Sequence, residues 1–164
     1  MLSERLQYEL LSTATLDDFH ALVQDAHVRR YLMDGQALPR SWSADRVTDS
    51  ARLIERRGVG LWLARNRETR DVIGFCGFLE IPLIHPDPQL AYAIFERFTG
   101  NGYATEMART AIAEARRHPG FTTIVASVDE VNLPSVRILK KLGFTQVETR
   151  PGNLGPVLVL LLEA

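Results

Sequence analysis

Two stretches of this 164-residue chain hold residue types that can do chemistry at close spacing. The first is Arg97-Phe98-Thr99-Gly100-Asn101-Gly102-Tyr103-Ala104-Thr105-Glu106, which ends an apolar run and opens an amphipathic one. Glycine accepts positive φ freely and asparagine tolerates it, so the backbone can turn sharply here. A helix starting at such a turn presents amide N–H groups with no intrahelical partner, which attract an anion by ~0.3–1 kcal/mol at an exposed site. Gly100 to Ala104 could therefore cradle a phosphate through backbone amides. A plain strand-to-helix connection uses the same residues, so the turn alone leaves both readings open. Two nucleotide motifs are excluded: Gly102 is followed by Tyr103-Ala104 rather than Lys-Ser/Thr, and Thr105 stands where a dinucleotide fingerprint needs its third glycine.

The second stretch is Asn132-Leu133-Pro134-Ser135-Val136-Arg137-Ile138-Leu139-Lys140-Lys141-Leu142-Gly143-Phe144. Asn132 suits a helix N-cap and Pro134 a first turn, and Ser135 could be part of that turn. In this order and spacing, the two stretches resemble the GNAT superfamily of acyl-CoA-dependent N-acetyltransferases. The closer likeness is to the branch containing the ribosomal-protein N-terminal acetyltransferases. The resemblance implies acetyl-CoA as cosubstrate and no metal. It implies that the cofactor is bound by Ile94, Thr99, Gly100, Asn101, Gly102, Tyr103, Ala104, Thr105, Asn132, Ser135 and Lys141. Asn132 would hold the pantetheine arm and Ser135 would sit near the thioester sulfur. Many members use a tyrosine near this helix to protonate the leaving thiolate. This chain has no tyrosine after Tyr103, and Ser135 holds the matching position. The pyrophosphate motif can be read from Arg97 or from Thr99.

Acyl transfer to an amine needs a neutral nucleophile. An α-amine, with a reference pKa of about 7.7–8.0, has an appreciable neutral fraction near neutrality, whereas lysine at about 10.4 needs more help. Glu80 and Glu148 are the candidate bases, each with the competing reading of a solvated strand-end carboxylate. Glu106 begins a helix, where acid is favoured by the dipole alone. Cys76 lies between Phe75 and Gly77 in an apolar run and reads as a small buried hydrophobe. His20, His27, His85 and His118 lack metal-ligand spacing. Trp62, Tyr92 and Phe95 read as core or pocket lining, because no basic stripe accompanies them.

The elements that must position these residues follow from periodicity. Alternation over 5–11 predicts a strand, and Leu16, Phe19, Leu22, Val23 and Ala26 predict a helix to about residue 28, with a short second piece through Leu32. A loop over 35–43 precedes a helix capped by Ser43 and ending near Gly58. Strands are expected over 60–66 and 72–81, a proline loop over 82–88, and another strand before the central turn. Gly74 and Gly77 suggest a neighbouring backbone at close range. A helix from Tyr103 to Arg117, a strand over 122–128, a helix over 133–142 and a terminal strand pair joined by a 150–156 loop complete the chain. This order, β-α-α-β-β-β-α-β-α-β-β, is an α/β fold with helices on both faces of a mixed sheet of about seven strands. The resemblance adds a splay between the fourth and fifth strands.

The length fits one domain over 1–164. Net charge of −1 argues against nucleic acid or an anionic membrane as partner, and a single cysteine fits a reducing compartment. With no signal-peptide core or long apolar run, a cytoplasmic protein is expected, monomeric or homodimeric. The expected acceptor is an amine, either a protein N-terminus or a small molecule. A non-catalytic acyl-CoA-binding or sensing module is the alternative.

Overall fold

The computed structural model describes residues 1–32 and 34–163. In chain order the elements are β1 (Leu6–Leu10), α1 (Leu16–Gln24), α2 (Ala26–Leu32), α3 (Arg40–Arg57), β2 (Leu61–Asn66), β3 (Val72–Ile81) and β4 (His85–Ile94). A 3-10 turn (Glu96–Phe98) then leads to α4 (Tyr103–Ala115), β5 (Thr123–Asp129), α5 (Leu133–Lys141), β6 (Thr145–Gly152) and β7 (Gly155–Glu163). The seven strands form one sheet in the order β1-β2-β3-β4-β5-β7-β6.

Every neighbouring pair is antiparallel except β4 and β5, which run parallel and align at a single pair, Gln89 with Val125. Gln89 is almost fully buried there. Its Nε2 donates to the Ile81 carbonyl at 3.0 Å, and its Oε1 accepts from Ser127 Oγ at 2.5 Å. A buried amide with both ends satisfied pins the strands at this point. Beyond it no aligned pair joins them, so the C-terminal ends of β4 and β5 flank an opening.

Both faces of the sheet are covered. Leu61, Leu63 and Phe75 pack with Phe19, Leu22, Val23 and Val28 of the first two helices, and the Phe19 and Phe75 rings meet edge-on at 5.3 Å. On the other face Trp62, Cys76 and Phe78 share a cluster with Met107, Ala108, Ala111, Ile112 and Ala115 of α4. The three alanines let that helix lie low on the strands. Gly77, at φ +140°, is where the backbone comes closest: a Cβ there would stand 2.0 Å from the Gly60 carbonyl oxygen.

Several boundaries differ from the sequence reading, each for a local reason. The first helix stops at Gln24 because Asp25 turns extended, and its Oδ1 accepts from the His27 and Val28 amides to start α2. The expected short second piece is thus a helix of its own, and three helices lie between β1 and β2 where the expected element order counts two. The third starts at Arg40 behind Pro39, whose φ of −68° suits a helix entry. Ser43 is buried inside that helix, 2.9 Å from His20 Nδ1, and is not its cap. The expected 82–88 loop shrinks because β4 already begins at His85; Pro86 and Pro88 fall where only His85 pairs with β3, across an irregularity at Leu79/Ile81. The expected 150–156 loop is a hairpin whose strands run to Gly152 and from Gly155, leaving only Asn153 and Leu154 between them.

Candidate active site

The opening between β4 and β5 leads into a cavity of about 590 Å³. The end of β4, the 99–105 turn, α2 and α5 supply its walls. Gly100 and Gly102 stand at φ +77° and +79°, so the turn takes the left-handed form that its glycines permit. Gly102 is the N-cap of α4 and no side chain caps it. The first-turn amides are thus left for a ligand, and Thr99, Gly100, Gly102, Tyr103, Ala104 and Thr105 all border the cavity. Lys141 and Arg137 of α5 bring positive charge to the same walls. An uncapped helix start, glycines free of side-chain bulk and two cations form a donor set that fits a pyrophosphate.

Asn101 serves the turn rather than the cavity. Its Nδ2 donates to the Phe98 and Thr99 carbonyls at 3.2 and 3.0 Å, and its own carbonyl accepts from Arg5 Nη1 at 2.9 Å. Arg97 lies over the Phe95 and Phe98 rings, at 4.4 and 4.8 Å, outside the cavity wall. Thr99 is on the wall, so the cradle is bordered from Thr99 onward. The Tyr103 side chain turns toward the chain's N-terminal arm, with Arg5 4.3 Å over its ring and Asn66 Nδ2 donating to its hydroxyl at 3.2 Å.

Ile94 and Tyr92, two apart on β4, share its cavity face. Asn132 caps α5, its Oδ1 accepting from the Ser135 amide at 3.2 Å. The Ser135 hydroxyl takes no part in that cap. It lies 2.8 Å from the Tyr92 hydroxyl, joining β4 to α5 across the opening. Burial pushes the Tyr92 phenol up to about 12, against the opposing effect of its bond to Ser135. It stays protonated at neutral pH and can donate to Ser135 Oγ, freeing the serine proton to point elsewhere.

The two proposed carboxylate bases are not brought to this cavity. Cys76 pairs with Tyr92, and Glu80 lies four residues further along β3, roughly 13 Å at about 3.3 Å per residue. The Glu80 carboxylate accepts from Arg56 at 2.8 Å. Glu148 is exposed on β6 and paired with Arg150 at 2.8 Å. No aspartate or glutamate borders the cavity among the described residues; its imidazole is His27, edge-on to Tyr31 at 5.2 Å. Cys76 is fully buried and burial pushes its thiol up, away from nucleophile duty.

Tyr92, read from the sequence as core or pocket lining, lines this cavity, though its bond to Ser135 was not foreseen; His27, Arg137 and the Arg5 clamp are contributors that sequence reading missed. The signal for Tyr92 was available: strand alternation puts it on the face of Ile94. Nothing local pairs Arg5 with a turn 96 residues away.

Residues 5–145 match the Acetyltransferase (GNAT) domain family, and the chain belongs to it. YkkB of Bacillus subtilis (strain 168), an uncharacterized protein, is 30% identical over 93 residues, 56% of this chain and 54% of YkkB. YoaA of the same organism, an uncharacterized N-acetyltransferase, is 31% identical over 97 residues, 59% of this chain and 54% of YoaA. The matches span about half the length of these relatives. Among solved structures, an acetyltransferase from Agrobacterium tumefaciens str. C58 superposes with a TM-score of 0.83 at 21% identity, covering 100% of this chain and 94% of that one. RimL, a ribosomal L7/L12 alpha-N-protein acetyltransferase in complex with coenzyme A, gives 0.82 at 17%, covering 99% and 96%. A Vibrio cholerae spermidine N-acetyltransferase in complex with CoA and spermine gives 0.78 at 16%, covering 98% and 96%. At these identities the likeness is one of fold.

Proposed function

We propose that the chain transfers the acetyl group of acetyl-CoA to a primary amine by direct attack in a ternary complex. The observation that carries the reading is one cavity holding both the uncapped α4 start and the Tyr92–Ser135 hydroxyl pair. The CoA complexes of RimL and the spermidine enzyme support it by fold.

The first-turn amides of α4, with Lys141 and Arg137, would take the pyrophosphate. The β4 edge beyond Gln89, lacking an aligned β5 partner, offers backbone groups to an extended arm. The amine nitrogen attacks the thioester carbonyl carbon, the C–N bond forms, the C–S bond breaks, and the nitrogen loses a proton. Ser135 Oγ, held by Tyr92, donates to the sulfur as negative charge develops. A thiol with a reference pKa near 8.5 is the weaker base by roughly three units against a phenol near 12. The tyrosine proton therefore stays where it is. The pair stabilises the thiolate by hydrogen bonding, and solvent protonates it afterwards. With no carboxylate on this cavity's wall among the described residues, the amine proton passes to water or to His27.

Free-thiol release from acetyl-CoA, measured with and without amines, tests the proposal. Amine-dependent release at enzymatic rates supports it. CoA binding with no release for any amine would favour the non-catalytic module, a reading that the missing carboxylate keeps in view.

A further inference from the structure

Two side-chain hydrogen bonds cross the β4–β5 split, and they do so on opposite faces of the sheet. At the closed end, Ser127 Oγ of β5 donates to Gln89 Oε1 of β4 at 2.5 Å. Three residues further along β4, roughly 10 Å at about 3.3 Å per residue, the Tyr92 hydroxyl meets Ser135 Oγ at 2.8 Å. Tyr92 and Leu90 belong to the α4 face. Alternation puts Gln89 with Ala91 and Ala93 on the α1 and α2 face. Ala126 and Val128 face α4, so Ser127 between them shares the face of Gln89.

Backbone and hydrogen bonds join the two crossings into a ring. The Asn132 amide donates to the Asp129 carbonyl at the end of β5 at 2.9 Å, and the Ser135 amide donates to Asn132 Oδ1 at 3.2 Å. The path runs from Gln89 along β4 to Tyr92, across to Ser135, through Asn132 to Asp129, and back down β5 to Ser127. Gln89 closes it from the interior, at 1% exposure. Filling that space does not call for an amide, since methionine has the same length. The amide adds direction. With Nε2 fixed on the Ile81 carbonyl at 3.0 Å, Oε1 faces β5, and one planar group holds β3, β4 and β5 together. Apolar contacts are non-directional, whereas hydrogen bonds weaken steeply away from their preferred distance and angle.

Resting on the acetyl-transfer reading, we infer that Gln89 is a positioning residue for the reaction: its amide sets β4 against β5 so that Tyr92 holds Ser135 Oγ at the sulfur. A bond between hydroxyls spans only about 2.5–3.0 Å, so a small change of register at the closed end releases the pair at the open one. Misplacement of a reacting group by about 1 Å can lower a rate by about 10²-fold.

Gln89→Met and Gln89→Glu test this, each alone and combined with Ser135→Ala. Gln89→Met keeps the length and loses both bonds. Its kcat for amine-dependent thiol release should fall by at least about tenfold, part of the range for such misplacement, with CoA affinity by calorimetry near that of the parent. In the Ser135→Ala background the same change should lower kcat no further, because the hydroxyl it positions is gone. Equal losses in both backgrounds would make Gln89 a stability residue alone and overturn the inference, as would parent-like kcat in Gln89→Met. In Gln89→Glu the neutral acid can donate to the Ile81 carbonyl and accept from Ser127, as the amide does. Burial favours that neutral form, and ionisation would set a carboxylate against the Ile81 oxygen. Activity relative to the parent should therefore fall as pH rises, and this limb should vanish in Gln89→Glu/Ser135→Ala. A limb that persists without Ser135 would overturn the inference. Hydrogen exchange needs no turnover: residues 90–94 and 132–135 should exchange faster in Gln89→Met, with β1 and β2 unchanged. Exchange that is unchanged or uniformly faster would remove the positioning role. A parent protein that releases no thiol with any amine would remove the transfer reading, and exchange then decides by itself whether Gln89 sets the opening.

Discussion

The residue that most changes the chemistry is Tyr92. Without it, Ser135 is a solvated hydroxyl on the first turn of a helix; with it, the hydroxyl is held at 2.8 Å by a buried phenol. The cap already belongs to Asn132, so Ser135→Ala removes a donor and leaves the helix start intact. We expect kcat to fall by roughly 10²-fold, the low end of what a positioned proton donor contributes. Acetyl-CoA affinity and Tm should change little. Tyr92→Phe keeps the ring and should give a smaller fall in kcat. Because the phenol is pushed up to about 12, it does not titrate in the working range. Neither variant should move the alkaline limb of the pH–rate profile below pH 10. A shifted limb in Tyr92→Phe would mean that the tyrosine gives up its proton. Near-normal kcat in folded Ser135→Ala would take the pair out of the mechanism.

At the scale of elements, the cradle is shaped by a strand-end arm remote in sequence. Glu106, in the first turn of α4, accepts from Ser3 Oγ at 2.7 Å and from the Arg5 amide and Nε at 2.8 Å each. Arg5 in turn donates to the Asn101 carbonyl and covers the Tyr103 ring. Burial pushes the Glu106 carboxyl up, but the Arg5 amide, the Ser3 hydroxyl and the Arg5 guanidinium outweigh it and hold the group below its usual value. A carboxyl depressed on folding adds stability above its unfolded value, near 4.5, and loses it as pH falls through the folded value. Glu106→Gln should therefore cost about 1–2 kcal/mol at pH 7 by chemical denaturation. The gap to the parent protein should narrow once the pH drops below 4.5 toward the folded value. A gap independent of pH would assign the loss to packing rather than charge. Gly102→Val tests the turn: a β-branched residue at φ +79° is strained by roughly 1–2 kcal/mol. Acetyl-CoA affinity should fall more than tenfold while the fold persists. Unchanged affinity would remove the amide cradle.

These elements show what a sequence displays and what it hides. The turn-and-helix motif, the α5 cap and the apolar face of α4 were readable because each is set by residues a few positions apart. The end of the first helix was misplaced because Asp25 broke it by a side-chain cap that periodicity does not see. The prolines at 86 and 88 looked like a loop because they fall in the first part of β4, where His85 alone pairs with β3 before the continuous pairing from Gln89 to Ile94. Glu80 and Glu148 were plausible bases by residue type; the Arg56 that holds Glu80 lies 24 residues away and becomes visible only in the folded chain, whereas Arg150, two residues on along β6, was within reach of strand alternation.

In the whole molecule the sheet divides at the Gln89–Val125 pair into β1 to β4 and β5 to β7, while one core cluster under α4 spans both parts. The cavity lies across that junction, with Tyr92, Ile94 and the α4 start on one side and Asn132, Ser135 and Lys141 on the other. A ligand filling it ties the two together, and anything that binds only the folded protein stabilises it by mass action. At a CoA concentration of 100 Kd the gain is about 2.7 kcal/mol. For a chain of this length that is a rise in Tm of roughly 5–11 °C, at about 2–4 °C per kcal/mol. Hydrogen exchange should slow most along β4 beyond Gln89, over residues 99–105 and at the start of α5, with β1 and β6 unchanged. Gly102→Val should need a proportionally higher CoA concentration for the same rise. Exchange that slows uniformly, or a rise in Tm equal in the variant at equal CoA, would place the ligand somewhere other than across this junction.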